Sequence, residues 1–323
     1  MMETLDLVVS DTRQLTPLVR QITLRAADGQ RLPAAQAGSH IKISVPGLDE
    51  PRSYSLVLAA NESCTNEGLQ AYRLGVRLEP EGGGGSRYMH GLQVGDGIKA
   101  SLPRNDFPLQ EHAGPAVLIA GGIGITPILS MAGALQGAGR PFRVDYCASS
   151  REHLAFLPEL QAVAGETLAV HAADEPGGRL ALAALMASLP RESHLYVCGP
   201  RRMLDEVLEH GKTLGWPACQ LHFELFEAAA PQAGDQAFEI ELKQSGLVLQ
   251  VPADRTIADV LEEAGCDPMY DCKRGECGVC SVDVLEGIPD HRDYFLSDSE
   301  KAAGKVIQIC ISRAKSPRLV LDL

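Results

Sequence analysis

Residues 1–105 contain short apolar runs in which hydrophobic and polar side chains alternate. Ile41–Val45 and Tyr72–Leu78 are two such runs, and their period of two is typical of strands with one buried face. Turn sequences interrupt the pattern at Val45-Pro46-Gly47 and at Val94-Gly95-Asp96-Gly97. Short strands at this spacing predict a barrel or a sandwich.

A different pattern occupies residues 106–227. Ala116–Ala120 is apolar throughout, as expected of a strand that is buried on both faces. Two later apolar runs, Phe142–Tyr146 and Leu195–Cys198, alternate with helical patterns. This alternation predicts a parallel sheet with crossover helices.

The last part of the chain reads as a separate domain. Residues 228–236 are small or polar and contain Pro and Gly, which predicts a linker. After it we expect a hairpin of Phe238–Leu242 and Leu247–Val251, then a helix near Ile257–Ala264. The predicted C-terminal domain covers residues 237–323.

Four cysteines of this domain have the spacing C-x4-C-x2-C, followed at a distance by C: Cys272, Cys277, Cys280 and Cys310. This is the ligand spacing of a plant-type [2Fe–2S] cluster. Gly275 and Gly278 allow the backbone to wrap closely and to aim amide groups at sulfur. A structural zinc site is the alternative, but zinc favours paired C-x2-C arms and only one is present.

Composition and charge narrow the function. A 45% hydrophobic content over 323 residues is enough for the cores of two or three domains. A net charge of −13 argues against a nucleic-acid partner. No apolar run approaches about 18 residues and no signal peptide is evident, so a cytoplasmic protein without a membrane partner is expected. The remaining cysteines are expected to be buried or incidental thiols in a reducing compartment: Cys64, Cys147, Cys219 and Cys266.

Two motifs of the first domain suggest an anionic ligand. Arg52–Ser55 places an arginine, an aromatic ring and a hydroxyl at alternating positions along a strand, although an ordinary strand has the same pattern. Gly82–Gly85 and Ser86 precede a predicted helix and offer backbone N–H groups to an anion, unless the glycines form only a flexible loop. Arg77, upstream on the preceding strand, favours the anion site.

Two glycine motifs of the second domain suggest a nucleotide. Gly121-Gly122-Ile123-Gly124-Ile125-Thr126-Pro127 follows a buried strand, but its spacing differs from the G-x-G-x-x-G fingerprint. Cys198-Gly199-Pro200 ends a second buried strand and is expected at the same crevice, where sheets of this type bind ligands. The alternative for Cys198 is a thiol of the core.

Taken in order, these motifs resemble the phthalate dioxygenase reductase family, and the resemblance extends over nearly the whole chain. The matching runs are RSYS, GGGGS, GGIGITP, CGP, HFELF (His222–Phe226) and CKRGECGVC, together with Asp290–Asp293 and Ile311–Lys315. The resemblance implies an FMN-binding antiparallel β-barrel over 1–105 and a nicotinamide-binding α/β domain over 106–227. It further implies a β-grasp [2Fe–2S] ferredoxin domain over 237–323.

The resemblance also implies roles for individual residues. Arg52 would contact the FMN phosphate, Tyr54 would pack on the isoalloxazine ring, and Ser55 would hydrogen-bond near its N5 atom. Other residues would complete the FMN site: Ser53, Arg77, Gly84, Gly85, Ser86, Thr126 and Phe226. The nicotinamide path would be lined by Gly122, Gly124, Pro127, Cys198, Gly199 and Pro200. Ser55, Thr126 and Cys198 would lie nearest the reacting atoms.

The implied function is that of an NADH-dependent reductase in the catabolism of aromatic compounds. It would take hydride from NADH onto FMN and pass single electrons through the [2Fe–2S] cluster to a Rieske-type oxygenase or demethylase. A monomer is expected. The alternatives are a free-standing NADH:acceptor reductase for a quinone, ferric or cytochrome acceptor, a redox sensor, and a zinc-containing binding module.

The sequence leaves two questions open, which coenzyme is preferred and what Asp290–Asp293 does. Ser149-Ser150-Arg151 departs from many relatives, which have an arginine one or two positions earlier. This region meets the adenosine ribose, so the departure bears on the choice between NADH and NADPH. Asp174 favours NADH if it repels a 2′-phosphate, but it is equally compatible with a solvated charge. Asp290–Asp293 is either a docking site for the partner or a structural ion-pair network.

Overall fold

The computed structural model describes residues 4–59, 68–226 and 231–323. The chain forms two compact units, Met1–Glu224 and Leu225–Leu323. Each unit has its own sheets and its own buried apolar clusters. No helix in the described part of the chain is long and apolar enough to cross a membrane.

The first unit begins with a seven-stranded antiparallel sheet of order β4-β3-β6-β1-β2-β5, with β7 paired to β3. Its strands are β1 (Thr4–Gln14), β2 (Val19–Ala26), β3 (Ser39–Ile43), β4 (Arg52–Ser55), β5 (Tyr72–Arg77), β6 (Gly97–Ser101) and β7 (Arg104–Asn105). A bridge between Leu56 and Leu74 joins the two outer strands, so the sheet is a nearly closed barrel. Helix α1 (Gly85–Gly91) lies between β5 and β6.

The second half of this unit is a five-stranded parallel sheet of order β10-β9-β8-β11-β12. The strands are β8 (Ala116–Gly121), β9 (Phe142–Ala148), β10 (Leu168–Ala172), β11 (His194–Cys198) and β12 (Leu221–Glu224). The helices are α2 (Ile125–Gly137), α3 (Leu157–Ala164), α4 (Leu182–Ser188) and α5 (Arg201–Leu214). The chain leaves β8 toward β9 on one side and later returns to β11 on the other, so a ligand crevice is expected at the carboxyl ends of β8 and β11.

Strand β8 shows why this sheet is buried on both faces. Leu118 and Ala120 belong to one apolar cluster, which contains residues of α2 and α3. Val117 and Ile119, which point the opposite way, belong to a second cluster with α4 and α5. A continuous apolar run is therefore what a central strand covered by helices on both sides requires.

The barrel and the parallel sheet share a buried contact. Ser130 of α2 donates its Oγ to the Leu56 carbonyl at 2.9 Å and accepts the Leu58 amide at 2.9 Å. A Cβ on Gly75 of β5 would lie 2.7 Å from the Phe156 ring and 2.8 Å from the Thr126 methyl. A glycine in β5 thus lets the start of α2 pack directly on the barrel.

The second unit is a mixed five-stranded sheet of order β14-β13-β19-β15-β17 with a separate β16–β18 pair. Its elements are β13 (Phe238–Leu242), β14 (Val248–Val251), α6 (Ile257–Glu263), β15 (Ser281–Glu286), β16 (Pro289–Asp290), α7 (Asp298–Ala303), β17 (Val306–Gln308), β18 (Arg313–Ala314) and β19 (Arg318–Leu321). The first hairpin is antiparallel, whereas β13 pairs in parallel with β19. Helix α6 begins with a capping box between Thr256 and Asp259 and packs into the sheet's core.

The predicted fold class, a barrel followed by an α/β domain and a β-grasp domain, is confirmed. The exact domain boundaries stay predictions. The described structure changes units at Glu224 and Leu225, and residues 228–230 of the predicted linker lie outside the described residues.

Three imidazole rings stack at the amino-terminal edge of the parallel sheet, away from the crevice. His112 and His194 are 3.7 Å apart between ring centroids and 5° from parallel, and His194 Nδ1 lies 3.0 Å from His222 Nε2. Tyr196 stacks on His222 with the ring centroids 4.5 Å apart. Burial lowers the pKa of all three histidines, and the charge of Arg140 or of neighbouring rings lowers it further.

This histidine stack predicts acid sensitivity of the first unit. The pKa of His222 falls from 6.5 to about 4, so the unfolded chain binds protons first as the pH drops. The contribution of His222 to the free energy of unfolding is therefore fully present above pH 6.5 and is lost between pH 6.5 and 4. The loss is about 1–2 kcal/mol after allowance for solvent screening. Urea unfolding at several pH values, followed by the fluorescence of Trp216, the only tryptophan, measures this free energy. His222→Asn should flatten the decline, while His210→Gln in α5 should not. An equal decline in H222N would contradict the prediction.

Candidate functional site

Strand β4 and the glycine loop come together on the barrel. A Cβ on Gly85 would lie 2.8 Å from Arg52 Cγ and 3.4 Å from Tyr54 Oη, and one on Gly83 would lie 3.5 Å from Arg52 Nη2. Arg52 and Tyr54 therefore extend from β4 onto the loop, and any side chain at Gly85 would displace them. Two motifs that are 30 residues apart in sequence form one surface.

Tyr54 and Ser55 differ in what they offer a ligand. Burial raises the pKa of Tyr54 to about 12, against the charge of Arg52, so its phenol stays neutral. Ser55 is buried, and its Oγ has no hydrogen-bond partner among the described residues. An unsatisfied buried hydroxyl costs about 1–3 kcal/mol. A polar ligand atom at Ser55 would remove that cost, so this residue fits a flavin bound beside β4.

Two predicted anion ligands are engaged with Glu79, which sequence analysis missed. Ser86 Oγ accepts the Glu79 amide at 3.0 Å, and Arg77 Nη1 lies 3.3 Å from Glu79 Oε1. The Ser86 hydroxyl thus holds the glycine loop, and an anion at Arg77 would compete with the Glu79 carboxylate. Ser53 is exposed on β4, and Gly84 is the N-cap of α1.

The nucleotide crevice forms where two glycine loops touch backbone to backbone. A Cβ on Gly124 would lie 2.1 Å from the Cys198 carbonyl oxygen, and one on Gly121 would lie 2.6 Å from Pro200 Cδ. Gly199 approaches Gly121 equally closely, with its own Cβ position 3.0 Å from Gly121 Cα. The structure thereby brings the two predicted nucleotide motifs together at the carboxyl ends of β8 and β11.

Thr126 lies where this crevice meets the barrel. It is buried, donates Oγ1 to the Ile123 carbonyl at 3.0 Å, and packs its methyl group against Gly75. Pro127 follows in the first turn of α2, where its missing N–H costs nothing. Cys198 is fully buried at the end of β11, and Phe226 belongs to the second unit with 38% of its surface exposed.

The turn after β9 meets the carboxyl end of β10. The Asp174 amide donates to the Ser149 carbonyl at 3.1 Å, which places this acidic residue beside the turn. Arg151 forms a two-point ion pair with Glu175, at 2.7 and 3.1 Å. The guanidinium nearest this turn is therefore already neutralised by a carboxylate that sequence analysis did not identify.

The four motif cysteines of the second unit lie as two sulfur pairs. Cys280 and Cys310 have their Sγ atoms 3.1 Å apart, and Cys272 and Cys277 hydrogen-bond through their side chains. No group of three or more His, Cys, Asp and Glu side chains in the described ranges is arranged to hold a single metal ion. Two pairs of thiolates match two iron atoms, each of which takes two cysteine ligands.

Backbone amides surround the first sulfur. The Arg274 amide donates to Cys272 Sγ at 3.3 Å, and the Glu276 and Cys277 amides also hydrogen-bond to it. The hydrogen bond from Cys277, followed by these amides, lowers the pKa of Cys272 to about 5, while the same pairing raises the pKa of Cys277. The loop thus favours a thiolate, which is the form that binds iron.

Gly275 and Gly278 are both required by the shape of this loop. Their φ angles are +78° and +74°, in the left-handed region that favours glycine. A Cβ on Gly275 would lie 3.0 Å from Asp293 Cα, and one on Gly278 would lie 2.3 Å from the Phe295 ring. The segment around Asp293 therefore packs directly over the loop.

The acidic and basic residues of that segment form an internal network. Arg292 binds Asp290 at 2.8 Å and Asp235 at 2.5 Å, and Asp293 is fully buried beside Lys301 at 3.8 Å. The hydrogen bond from Arg292 lowers the pKa of Asp235 to about 2. This geometry favours the structural network over the docking role.

The other cysteines have different environments. Cys147 is half-buried, and burial raises its pKa to about 12. Cys266 packs beside the second unit's core, whereas Cys219 is exposed. Cys64 lies outside the described residues.

Comparison with known proteins agrees with both sites. A family model for an oxidoreductase NAD-binding domain matches residues 118–209, and one for a 2Fe-2S iron-sulfur cluster binding domain matches residues 240–315. The chain is 41% identical to vanillate O-demethylase oxidoreductase from Pseudomonas sp. strain HR199, over 99% of this chain and 100% of that protein. It is 39% identical to the carnitine monooxygenase reductase subunit of Acinetobacter baumannii, over 98% and 97% of the two chains. The solved structure of phthalate dioxygenase reductase matches with a TM-score of 0.73 and 34% identity, over 99% of this chain and 98% of that one.

Fold and sites define an oxidoreductase that joins a pyridine-nucleotide domain to an iron–sulfur domain. Such a chain transfers electrons from NADH to the oxygenase of a two-component system. The chain belongs to the phthalate dioxygenase reductase-like family, as the resemblance of its motifs implied. NADH, FMN and a [2Fe–2S] cluster are the cofactors of this family.

Proposed function

We propose that the protein is the NADH-dependent reductase of a Rieske-type oxygenase or demethylase, working as a cytoplasmic monomer without a nucleic-acid partner. The observation that supports this most directly is the presence, in one chain, of a nucleotide crevice and two sulfur pairs. Full-length similarity to reductase subunits of a demethylase and a monooxygenase supports it further. NADH and cysteine thiolates both belong to a reducing compartment.

The three domains divide the work. We assign FMN to the barrel, residues 1–105, the nicotinamide to residues 106–227, and the cluster to residues 237–323. When bound, FMN takes up two electrons together and releases them singly, which links a hydride donor to a one-electron centre. Arg52 would bind the phosphate, Tyr54 would support the ring, and the unsatisfied Ser55 hydroxyl would hydrogen-bond it.

The cluster ligands follow from the sulfur pairs. We assign Cys272 and Cys277 to one iron and Cys280 and Cys310 to the other. The amides around Cys272 would stabilise the negative charge of the bound cluster. No further acid or base of the chain is needed for this transfer.

NADH is the coenzyme that the turn after β9 favours. Asp174 lies beside Ser149, and Arg151 is paired with Glu175, so a 2′-phosphate would meet negative charge without an available guanidinium there. Steady-state kcat/KM for NADH should exceed that for NADPH. A preference for NADPH would contradict this assignment.

The experiment that tests the function is an absorption spectrum of the purified protein before and after NADH, with cofactor extraction. One FMN per chain and cluster absorbance that NADH bleaches are expected. Extraction of FAD or zinc would contradict the cofactor assignment. Fast turnover with small quinone or ferric acceptors, together with no transfer to an oxygenase component, would instead favour a free-standing reductase.

Ser55→Ala should have effects of opposite sign on binding and on stability. Loss of the hydroxyl should weaken FMN binding and slow flavin bleaching by NADH about tenfold, since one hydrogen bond is lost. In the cofactor-free protein, the urea midpoint measured by Trp216 fluorescence should stay equal or rise, because the hydroxyl is unsatisfied there.

The matched control is Ser53→Ala, which removes an exposed hydroxyl from the same strand. It should change neither FMN binding and flavin bleaching nor the urea midpoint of the cofactor-free protein. A fall in cofactor-free stability of Ser55→Ala would show that this hydroxyl is bonded within the protein, contrary to its assigned role.

A further inference from the structure

The segment that follows β12 is held to the second unit at two points. At its start, the Leu225 amide donates to Glu276 Oε1 at 2.7 Å. Near its end, Asp235 accepts hydrogen bonds from Arg292 at 2.9 and 2.5 Å and lies 3.8 Å from Arg313. The connecting segment 225–235 is therefore anchored on both sides of residues 227–230.

The first of these anchors is a buried carboxylate. Only 14% of the Glu276 side chain is exposed, and its second oxygen accepts Arg274 Nε at 3.0 Å. Taking a carboxylate out of water is costly, and an apolar residue of similar volume is often as stable. What the carboxyl group provides is an oxygen acceptor that fixes the direction of one backbone amide.

The hydrogen bond between Glu276 and Leu225 lies next to the cysteine motif and at the first residue of the second unit. Glu276 precedes Cys277, one of the four motif cysteines, and Leu225 follows Glu224, the last residue of the first unit. One hydrogen bond therefore ties the cysteine loop to the residue at which the chain enters the second unit. Electron transfer between two centres requires that each is held in place, and this bond limits how far the entry residue can move from the cysteine loop.

We propose that Glu276 is a positioning residue for the electron-transfer step, acting through its hydrogen bond to the Leu225 amide. This inference rests on the proposed function. Glu276 holds the first residue of the second unit on the cysteine loop, so the point at which the chain enters this unit is fixed beside the cluster ligands. Its role differs from that of the cysteines, since it binds no iron.

The test alters the donor and the acceptor of the Leu225–Glu276 hydrogen bond separately, in the protein with its cofactors bound. Glu276→Ala removes the acceptor, Leu225→Pro removes the donor, and Glu276→Gln keeps an oxygen acceptor. Stopped-flow absorption separates flavin bleaching by NADH from later cluster bleaching. We expect unchanged flavin bleaching in all variants, and cluster bleaching slowed about tenfold in Glu276→Ala and Leu225→Pro, since each loses one hydrogen bond.

Four further results are expected. Glu276→Gln should recover most of the rate, and the double variant should be no slower than either single one, since both remove the same bond. Amide hydrogen exchange at residues 225–226 should be about tenfold faster in Glu276→Ala. Exposed Glu286→Ala, with the same change of charge, should match the native protein.

Several outcomes would overturn the proposal. They are a native rate of cluster bleaching in Leu225→Pro, additive effects in the double variant, and faster exchange without a slower transfer. If Glu276→Ala loses iron, Leu225→Pro decides, because it alters no residue of the cysteine loop; its rate is taken per bound cluster, since Leu225 is fully buried. Absence of flavin bleaching in the native protein would instead be a failure of the proposed function.

Discussion

Replacing Cys310 with serine is expected to remove the [2Fe–2S] absorbance and to reduce electron delivery to an oxygenase more than about 100-fold, because one iron loses a thiolate. Cys310 follows β17 and meets Cys280 from a position 30 residues away. The barrel and the nucleotide crevice lie in the other unit. Bleaching of the flavin by NADH should therefore persist, so the variant separates the two halves of the reaction.

The matched control is Cys219→Ser, which changes an exposed cysteine outside the sulfur pairs. It should retain cluster absorbance and electron delivery. Iron analysis and absorption spectra measure the cluster content, and reduction of the oxygenase component measures electron delivery. Full cluster content in Cys310→Ser would show that Cys310 is not a ligand.

Gly124→Ala should weaken NADH binding about tenfold to a hundredfold. Its new methyl group would lie 2.1 Å from the Cys198 carbonyl oxygen, so the two loops that form the crevice must separate. Overpacking of this kind costs about 1–3 kcal/mol, and here the obstacle is backbone. The NADH concentration at which the rate of flavin bleaching is half-maximal, from stopped-flow absorption, measures the effect.

Gly97→Ala is the control, because its Cβ would meet only the Leu7 carbonyl oxygen at 4.0 Å. It should bind NADH as the native protein does. FMN content should be native in both variants, since neither glycine lies on the predicted FMN loop. Native NADH affinity in Gly124→Ala would place the nucleotide elsewhere.

Much of the fold was predictable because its signals are local. The apolar run of β8 indicated a strand covered on both faces, and alternating residues of β5 indicated a strand of the barrel. Similarly, the spacing of Cys272, Cys277 and Cys280 identified the iron–sulfur loop without knowledge of the fold. Each of these signals lies within a few residues, where chain geometry alone relates side chains to one another.

Other contacts could not be predicted because they join distant parts of the chain. Glu79 gave no signal of its pairing with Ser86 and Arg77, since that depends on how the glycine loop folds back. The histidine stack likewise draws its rings from three segments. For Asp290–Asp293 the sequence left two roles open, and the burial of Asp293 favours the structural one.

The sequence by itself determined the kinds of element, the ligand type of the cluster and the family resemblance. These depend on spacing along the chain and on residue chemistry. Only the tertiary structure decided that Ser55 is buried without a partner, that Gly124 touches the Cys198 carbonyl, and that Glu276 binds the Leu225 amide. Such contacts arise when strand register and loop packing bring distant residues within hydrogen-bond distance, and no local pattern encodes which residues will meet.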